Sequence, residues 1–413
     1  MKKVISFILI AATLFVFASC GTNEDADEGS VFPTTSAKPA ESEVIFEKNI
    51  TITQGRDAVL RFCGEGGEVS KIEVEVNGEM SDNLSVLAAS ETVIGREEGA
   101  KSDDAEFRFF IKDMNYDGYQ DFGIQAWVKD VGTVPYYCWF WDPLSAGFAF
   151  GTELEDPVFD PDNSKIYCNV NDAGSEYLTI CNVVDGKVIL NNSISLSAKP
   201  TFATDLSSYE QFMNPVDRDA YLILVNSENT LDENYIPDDL VDVSNTRQDG
   251  RAMQQMRYCA AEALYALFSE LSAAGYDDVS VTSAYRSYAY QDELFNSYIN
   301  QEMAANGYTE EEATAVVKTY SAYPGTSEHQ TGLCCDMHNL GAADQAFANQ
   351  DAYRWLNENA WKFGFILRFP EDKEEITKIT FEPWHYRFVG RYHAAKIHAM
   401  GLCLEEYIEL INR

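Results

Sequence analysis

Positive charge is scarce in this chain: Lys and Arg number 30 against 67 Asp and Glu, leaving −37 at pH 7. A protein that grips phosphate needs a surplus of basic side chains, so the balance argues against nucleic acid as a partner. It argues equally against electrostatic docking on anionic lipid and reads as a solvated, self-repelling surface. Cysteine is thin as well, 9 residues in 413 with no C-x-x-C pair, far below a disulfide scaffold. With Cys20 set aside, eight remain, an even number that permits pairing outside the cytoplasm without saying which. Histidine is rarer still: there are five, all after residue 328. No repeat of fixed period occurs, and no segment beyond the N-terminus reaches the ~20 apolar residues of a spanning helix.

What is present supports packed structure. Apolar residues make up 46% and aromatics 13%, and the length predicts two or three domains. Lys2 and Lys3 precede an apolar run from Val4 to Phe17, and Phe17-Ala18-Ser19-Cys20 follows. That order resembles a bacterial lipoprotein signal over residues 1–20, with cleavage before Cys20 and lipidation of its thiol. It implies an extracytoplasmic protein held to the membrane by a lipid anchor alone. Phe17 departs from the usual Leu, which keeps ordinary secretion open. Residues 21–44, acidic and rich in Ser, Thr and Pro, predict a flexible tether.

From 45 to 198 the pattern is β: Ile50–Thr53, Lys71–Val76, Phe107–Ile111, Ile124–Val128, Tyr177–Ile180 and Lys187–Leu190 are short strand-like runs parted by turn residues. They predict a sandwich or a small open sheet of unknown role. Between two of them Asp113, Asn115, Asp117, Gly118 and Asp121 spell D-x-N-x-D-G-x-x-D. Oxygens at alternate positions around a tight Gly turn suit Ca²⁺, and a plain Asp/Asn/Gly turn explains them equally well. Residues 199–220, with Pro200 and Pro215 in polar sequence, read as a second linker.

From 221 to 413 the character becomes α+β. Helices are predicted over Arg251–Ala274, Gln291–Ala305, Ala352–Phe363 and Gly390–Leu410, and strands over Val279–Thr282, Phe365–Arg368 and Lys378–Phe381. Two segments here are dense in ligand-type residues: Glu328-His329 followed by Asp336, and Glu382-Pro383-Trp384-His385. His329, Asp336 and His385 offer two imidazoles and a carboxylate, a set that leaves a fourth tetrahedral position of a zinc ion open for water. Zinc there would lower the water's pKa to roughly 7 and polarise a scissile carbonyl. Glu382, three residues before His385, is placed to act as a base without occupying the metal. Vicinal Cys334 and Cys335 read as small apolar residues packing beside Asp336, and His338, His393 and His398 as structural or exposed.

The blocks Thr282-Ser283-Ala284-Tyr285-Arg286-Ser287 with Gln291, Tyr323–Gly332 with Asp336, Phe363–Pro370, and Glu382–Arg387 resemble VanY-type D-alanyl-D-alanine carboxypeptidases in order and spacing. The resemblance covers about 221–413. It says nothing about 45–200 and implies an α+β zinc peptidase domain with a small antiparallel sheet, to follow the mostly-β N-terminal domain that the alternation predicts. One Zn²⁺ would be held by His329, Asp336 and His385, with Glu382 as general base and Arg286 stabilising the oxyanion. Gln291, Ser321 and Ser327 would grip the end of a peptidoglycan stem peptide. The implied reaction is removal of a terminal D-Ala. L,D-cleavage, D,D-dipeptide cleavage and wall-peptide binding without cleavage are the alternatives. Phe369 stands where relatives often carry Tyr, and Cys334 and Cys335 replace Ala and an aliphatic residue.

Overall fold

The computed structural model describes residues 43–65, 68–85, 109–126 and 133–412. The signal segment with Cys20, and the tether up to residue 42, lie outside them. No helix among the described residues is long and apolar enough to cross a membrane.

The N-terminal region is mostly β, as its alternation predicts. Its described residues form three antiparallel sheets of four strands each, and each sheet is a meander. The first holds β1 (Glu43–Thr53), β2 (Arg56–Glu65), β3 (Glu68–Val76) and β4 (Glu79–Ser85). In the second are β5 (Phe109–Lys112), β6 (Asp121–Gln125), β7 (Pro135–Asp142) and β8 (Gly147–Glu155). The third consists of β9 (Pro157–Asp160), β10 (Lys165–Asp172), β11 (Ser175–Val184) and β12 (Lys187–Ser195). Side chains alternate across a strand, so β7 can serve two cores at once. Tyr137, Trp139 and Trp141 pack with Phe62, Ile72 and Phe122 between the first two sheets. Cys138, on the opposite face, joins Phe159, Ile166 and Cys181 of the third. Burial on both faces explains why the strand reads as Pro-Tyr-Tyr-Cys-Trp-Phe-Trp without polar alternation.

Residues 199–220, expected as a linker, are packed. A 3₁₀ turn (Ser207–Tyr209) and α1 (Glu210–Met213) carry Leu206 and Met213 into the C-terminal core. Glu210 pairs with the buried Arg391. Two prolines in polar sequence suggest a free segment, and two isolated apolar anchors are not enough to reveal otherwise.

The C-terminal part is α+β. A ribbon of β13 (Leu240–Asp242) and β14 (Gln255–Arg257) leads into α2 (Tyr258–Ala273), followed by β15 (Ser280–Ser283), α3 (Tyr288–Asn306) and α4 (Glu310–Val317). Then come β16 (Cys334–His338), α5 (Asp351–Asn359), β17 (Phe365–Leu367), α6 (Glu374–Thr377), β18 (His385–Phe388), α7 (Arg391–Met400) and α8 (Leu404–Ile411). The antiparallel sheet has the order β15-β16-β18-β17. Its core face carries Val281, Cys335, Met337, Phe365 and Phe388, against which α2 lays Ala260, Leu264, Leu267 and Leu271.

Three predicted elements change. The helix expected from Arg251 starts only at Tyr258, because Gln255–Arg257 pair with β13 instead. Residues Lys378–Phe381 form no strand: Lys378 takes a left-handed φ of 60° to end α6, and the amide of Phe381 turns back to Glu374. The last helix divides at Gly401, whose φ of 70° lets its amide cap α7.

Candidate active site

Strands β16 and β18 lie side by side with Asp336 opposite His385. Period-two alternation sends Cys334 and Asp336 to one face of β16 while Cys335 and Met337 enter the core. Ahead of this strand a 3₁₀ turn, Glu328–Thr331, presents His329. Gly332 then adopts a left-handed φ of 67°, which turns the chain directly into β16.

Both imidazoles are held from behind. His329 Nδ1 lies 2.6 Å from the carbonyl oxygen of Ala284 and must donate to it, so Nε2 carries a free lone pair. The His385 Nε2 atom lies 2.9 Å from Glu328, which leaves Nδ1 facing the site, 3.1 Å from Asp336 Oδ1 and 3.4 Å from Glu382 Oε2. His329 Nε2 is 3.5 Å from Asp336 Oδ2. Neither His329 Nε2 nor Asp336 Oδ1 has an aligned hydrogen-bond partner, although both are buried. A buried orphan of this kind costs about 1–3 kcal/mol. Orphaned lone pairs converging on one point are what a cation relieves, and the residues fit one. Donor atoms of Asp336, Glu382 and His385 all lie within 4.8 Å of one another, as do those of His329, Cys334 and His385.

Glu328 received no role from the sequence, yet it organises the site. It is 3% exposed and bonds Arg387 (2.7 Å) and Arg368 (3.1 Å) as well as His385. Burial alone would push its carboxyl up; the Arg368 and Arg387 guanidiniums reverse that and hold it well below the usual carboxylate range. As an anion it fixes the tautomer and the ring orientation of His385. Its only sequence signal is adjacency to His329.

Arg286 follows β15 and reaches into the site, with Nη2 3.6 Å from Asp336 Oδ2. Gln291, buried in the first turn of α3, accepts from Arg286 Nη1 (2.9 Å) and donates to the carbonyl of Ala322 (2.8 Å). Its polar atoms therefore brace Arg286 and the loop after α4, and it does not line the cleft as a substrate contact would. Ser321 and Ser327 do line it, with Arg286, His329, Asp336, Glu382 and His385, in a cavity of about 860 Å³. Lys318 and Lys378 also line it, while Arg368 there is buried and paired with Glu328 and Glu405. The Phe369 ring packs 4.9 Å from that of His385.

The carboxylates of the N-terminal loop are largely taken up by the loop's own amides, with Asn115 Oδ1 left buried without a partner. Asp113 accepts from the amides of Asp117 (3.1 Å) and Gly118 (2.9 Å), and Asp117 from the amide of Tyr119 (3.0 Å) and the side chain of Asn115 (3.0 Å). Asp121 is buried and bonds the amides of Met114 and Trp141. The loop is absent from the metal-capable His/Cys/Asp/Glu groups among the described residues. Carboxylates folded onto their own backbone make the Asp/Asn/Gly turn. The remaining histidines lie outside the cleft. His338 sits against Thr282, His393 against Tyr407 and Asp219, and His398 stacks on Trp361.

Two held imidazoles, two carboxylates and an arginine around one cavity are a donor set fit to hold a metal ion of the hydrolytic kind. The family model for D-alanyl-D-alanine carboxypeptidases, VanY, matches residues 253–391. A putative carboxypeptidase of Bacillus subtilis, YodJ, is 34% identical over 234 residues, 55% of this chain and 82% of that protein. A D-alanyl-D-alanine carboxypeptidase of Enterococcus faecalis is 48% identical over 128 residues, 31% of this chain; the chain spans 46% of that relative's length. The solved VanB-type D,D-pentapeptidase VanY in complex with Zn(II) aligns at 40% identity and a TM-score of 0.39, covering 46% of this chain and 98% of that one. The chain belongs to the VanY family of D-alanyl-D-alanine carboxypeptidases.

Proposed function

We propose that this protein is a zinc-dependent carboxypeptidase that removes the terminal D-Ala from D-Ala-D-Ala-ended peptidoglycan peptides. The observation that carries the reading is the convergence of His329 Nε2, His385 Nδ1 and Asp336 on one point, with their far sides fixed by Ala284 and Glu328. Zinc held by these three would polarise the scissile carbonyl and bring the pKa of a nearby water to roughly 7.

The chain's own residues supply the rest. Glu382 is 3.4 Å from His385 Nδ1 and takes the proton of the attacking water, then returns it to the departing amine. Arg286, braced by Gln291, faces the oxygen on which negative charge grows. Ser321 and Ser327 offer hydroxyls to the peptide end, and Lys318 and Lys378 on the cleft wall offer charge to its carboxylate. The Lys2-Lys3 pair, the apolar run and Cys20 support an extracytoplasmic protein anchored by lipid, where wall peptides are found.

The test is mass analysis of wall peptides after incubation with the protein, with and without chelator. Loss of one D-Ala from pentapeptides, abolished by chelation, is expected. Intact pentapeptides would refute the reading, and shortened tetrapeptides would move it to L,D-cleavage.

A further inference from the structure

The metal-capable atoms form two groups that share His385. One, Asp336, Glu382 and His385, faces the cleft. The other is His329, Cys334 and His385, with all three residues buried. Cys334 is 0% exposed and does not line the cleft, so it approaches the imidazoles from beneath. Strand alternation puts it on the same face as Asp336, two residues away, and its neighbour Cys335 on the core face. A buried cysteine normally packs as a small apolar group. The Cys334 Sγ and a ring nitrogen of each of His329 and His385 lie within 4.8 Å of one another, and His329, 2% exposed, keeps its buried Nε2 without a hydrogen-bond partner. A thiol here offers an imidazole lone pair at most a weak S–H donor, whereas two imidazole lone pairs and a sulfur around one point make a soft-metal donor set.

We infer that Cys334 is a further metal ligand, so that the centre of this chain has a thiolate donor in addition to His329, His385 and Asp336. The inference rests on the zinc reading above. On ligation the Cys334 S–H bond breaks, its electron pair goes to the ion and its proton to solvent, with no change of oxidation state. Two properties follow. Sulfur raises affinity for soft divalent ions over the imidazole-carboxylate set alone. Four protein donors also fill a tetrahedral shell, so an open position appears only if coordination expands or one donor withdraws.

The test is substitution of the purified full chain with Co²⁺, read by absorption. Wild-type and Cys335→Ala protein should both show a near-ultraviolet thiolate-to-metal charge-transfer band together with visible ligand-field bands. Cys334→Ala should keep the ligand-field bands and lose the near-ultraviolet one. Its zinc affinity should fall by at least the roughly 10–100-fold that loss of an outer-shell partner costs. Visible bands in the wild type without the charge-transfer band would overturn the Cys334 assignment and leave the metal centre intact. A band that vanishes in Cys335→Ala and survives in Cys334→Ala would overturn it as well. Protein that takes up no cobalt at all would defeat both this inference and the zinc reading.

Discussion

Replacing Glu328 with Gln removes the carboxylate that His385, Arg368 and Arg387 share. Breaking a buried ion pair from one side typically costs about 3–5 kcal/mol, because the surviving charge stays desolvated. Arg368 keeps a two-pronged bond to Glu405, at 2.7 and 2.8 Å. Arg387, fully buried, is left with the carbonyls of Tyr221, Ile223 and Phe388. The loss therefore falls mainly on one guanidinium, which places it at the lower end, about 3 kcal/mol. For a unit of this size each kcal/mol moves the melting temperature by about 2–4 °C, so a drop of about 6–12 °C is expected. The replacement amide is also in conflict with its surroundings. Turned one way, its NH₂ meets two guanidiniums; turned the other, it meets the His385 Nε2–H. The first keeps only a neutral acceptor on the His385 Nε2–H and the second loses the acceptor altogether, so the tautomer is held less firmly and zinc affinity should fall about 10–100-fold. Calorimetric titration of zinc into metal-free protein, with parallel thermal melts, measures both. Wild-type zinc affinity in Glu328→Gln would refute the claim that Glu328 sets His385 for ligation, whatever the melting temperature does.

Glu382→Ala should abolish turnover while one zinc per chain is retained in elemental analysis; loss of metal together with activity would make Glu382 a ligand. Arg286→Lys keeps the charge but loses the planar fork that Gln291 holds. Its kcat on a D-Ala-D-Ala-ended peptide should fall about 10²–10³-fold, with near-normal kcat marking Arg286 as structural. His393 gives a pH dependence: burial and the nearby Lys396 push its pKa down to about 4 in the folded chain, from about 6.5 when unfolded. Its contribution is complete above the unfolded value and is lost as pH falls through that window, up to about 3 kcal/mol. Melting temperature should thus decline between about pH 6.5 and 4, and less so in His393→Phe.

The family and the three proposed ligands were legible because metal chemistry concentrates rare residues at fixed spacings: the two ligand histidines occur within short blocks, each with a carboxylate a few residues away. Sheet content was legible wherever one face is buried and alternation is clean, as in Lys71–Val76. What escaped depends on partners distant in sequence. Glu328 gains its importance from Arg387, 59 residues on. Gln291 looks like a substrate contact until its partners at Arg286 and Ala322 are seen. Cys334 and Cys335 are identical to a composition argument, and strand parity alone sends one to the metal-capable cluster and the other to the core. Lys378–Phe381 has β-type residues, but a strand needs a neighbour to pair with, and α6 ends there instead.

The third sheet gives one face to the second and the other to α7 and α8, where Tyr167, Leu178 and Ile180 meet Val389, Ala394, Ile397, Leu404 and Tyr407. Polar ties lie along the same seam: Arg218 forks onto Glu176, and Lys396 reaches Asn169. The catalytic half therefore borrows part of its hydrophobic interior from the region before residue 198. Excising 221–413 by sequence similarity alone would strip that covering and expose a continuous apolar surface to water, a recipe for aggregation. A cut at β9 would keep that covering but bare the face that Phe159, Ile166 and Cys181 turn to the second sheet, so the catalytic half is fully clothed only with the preceding sheets in place.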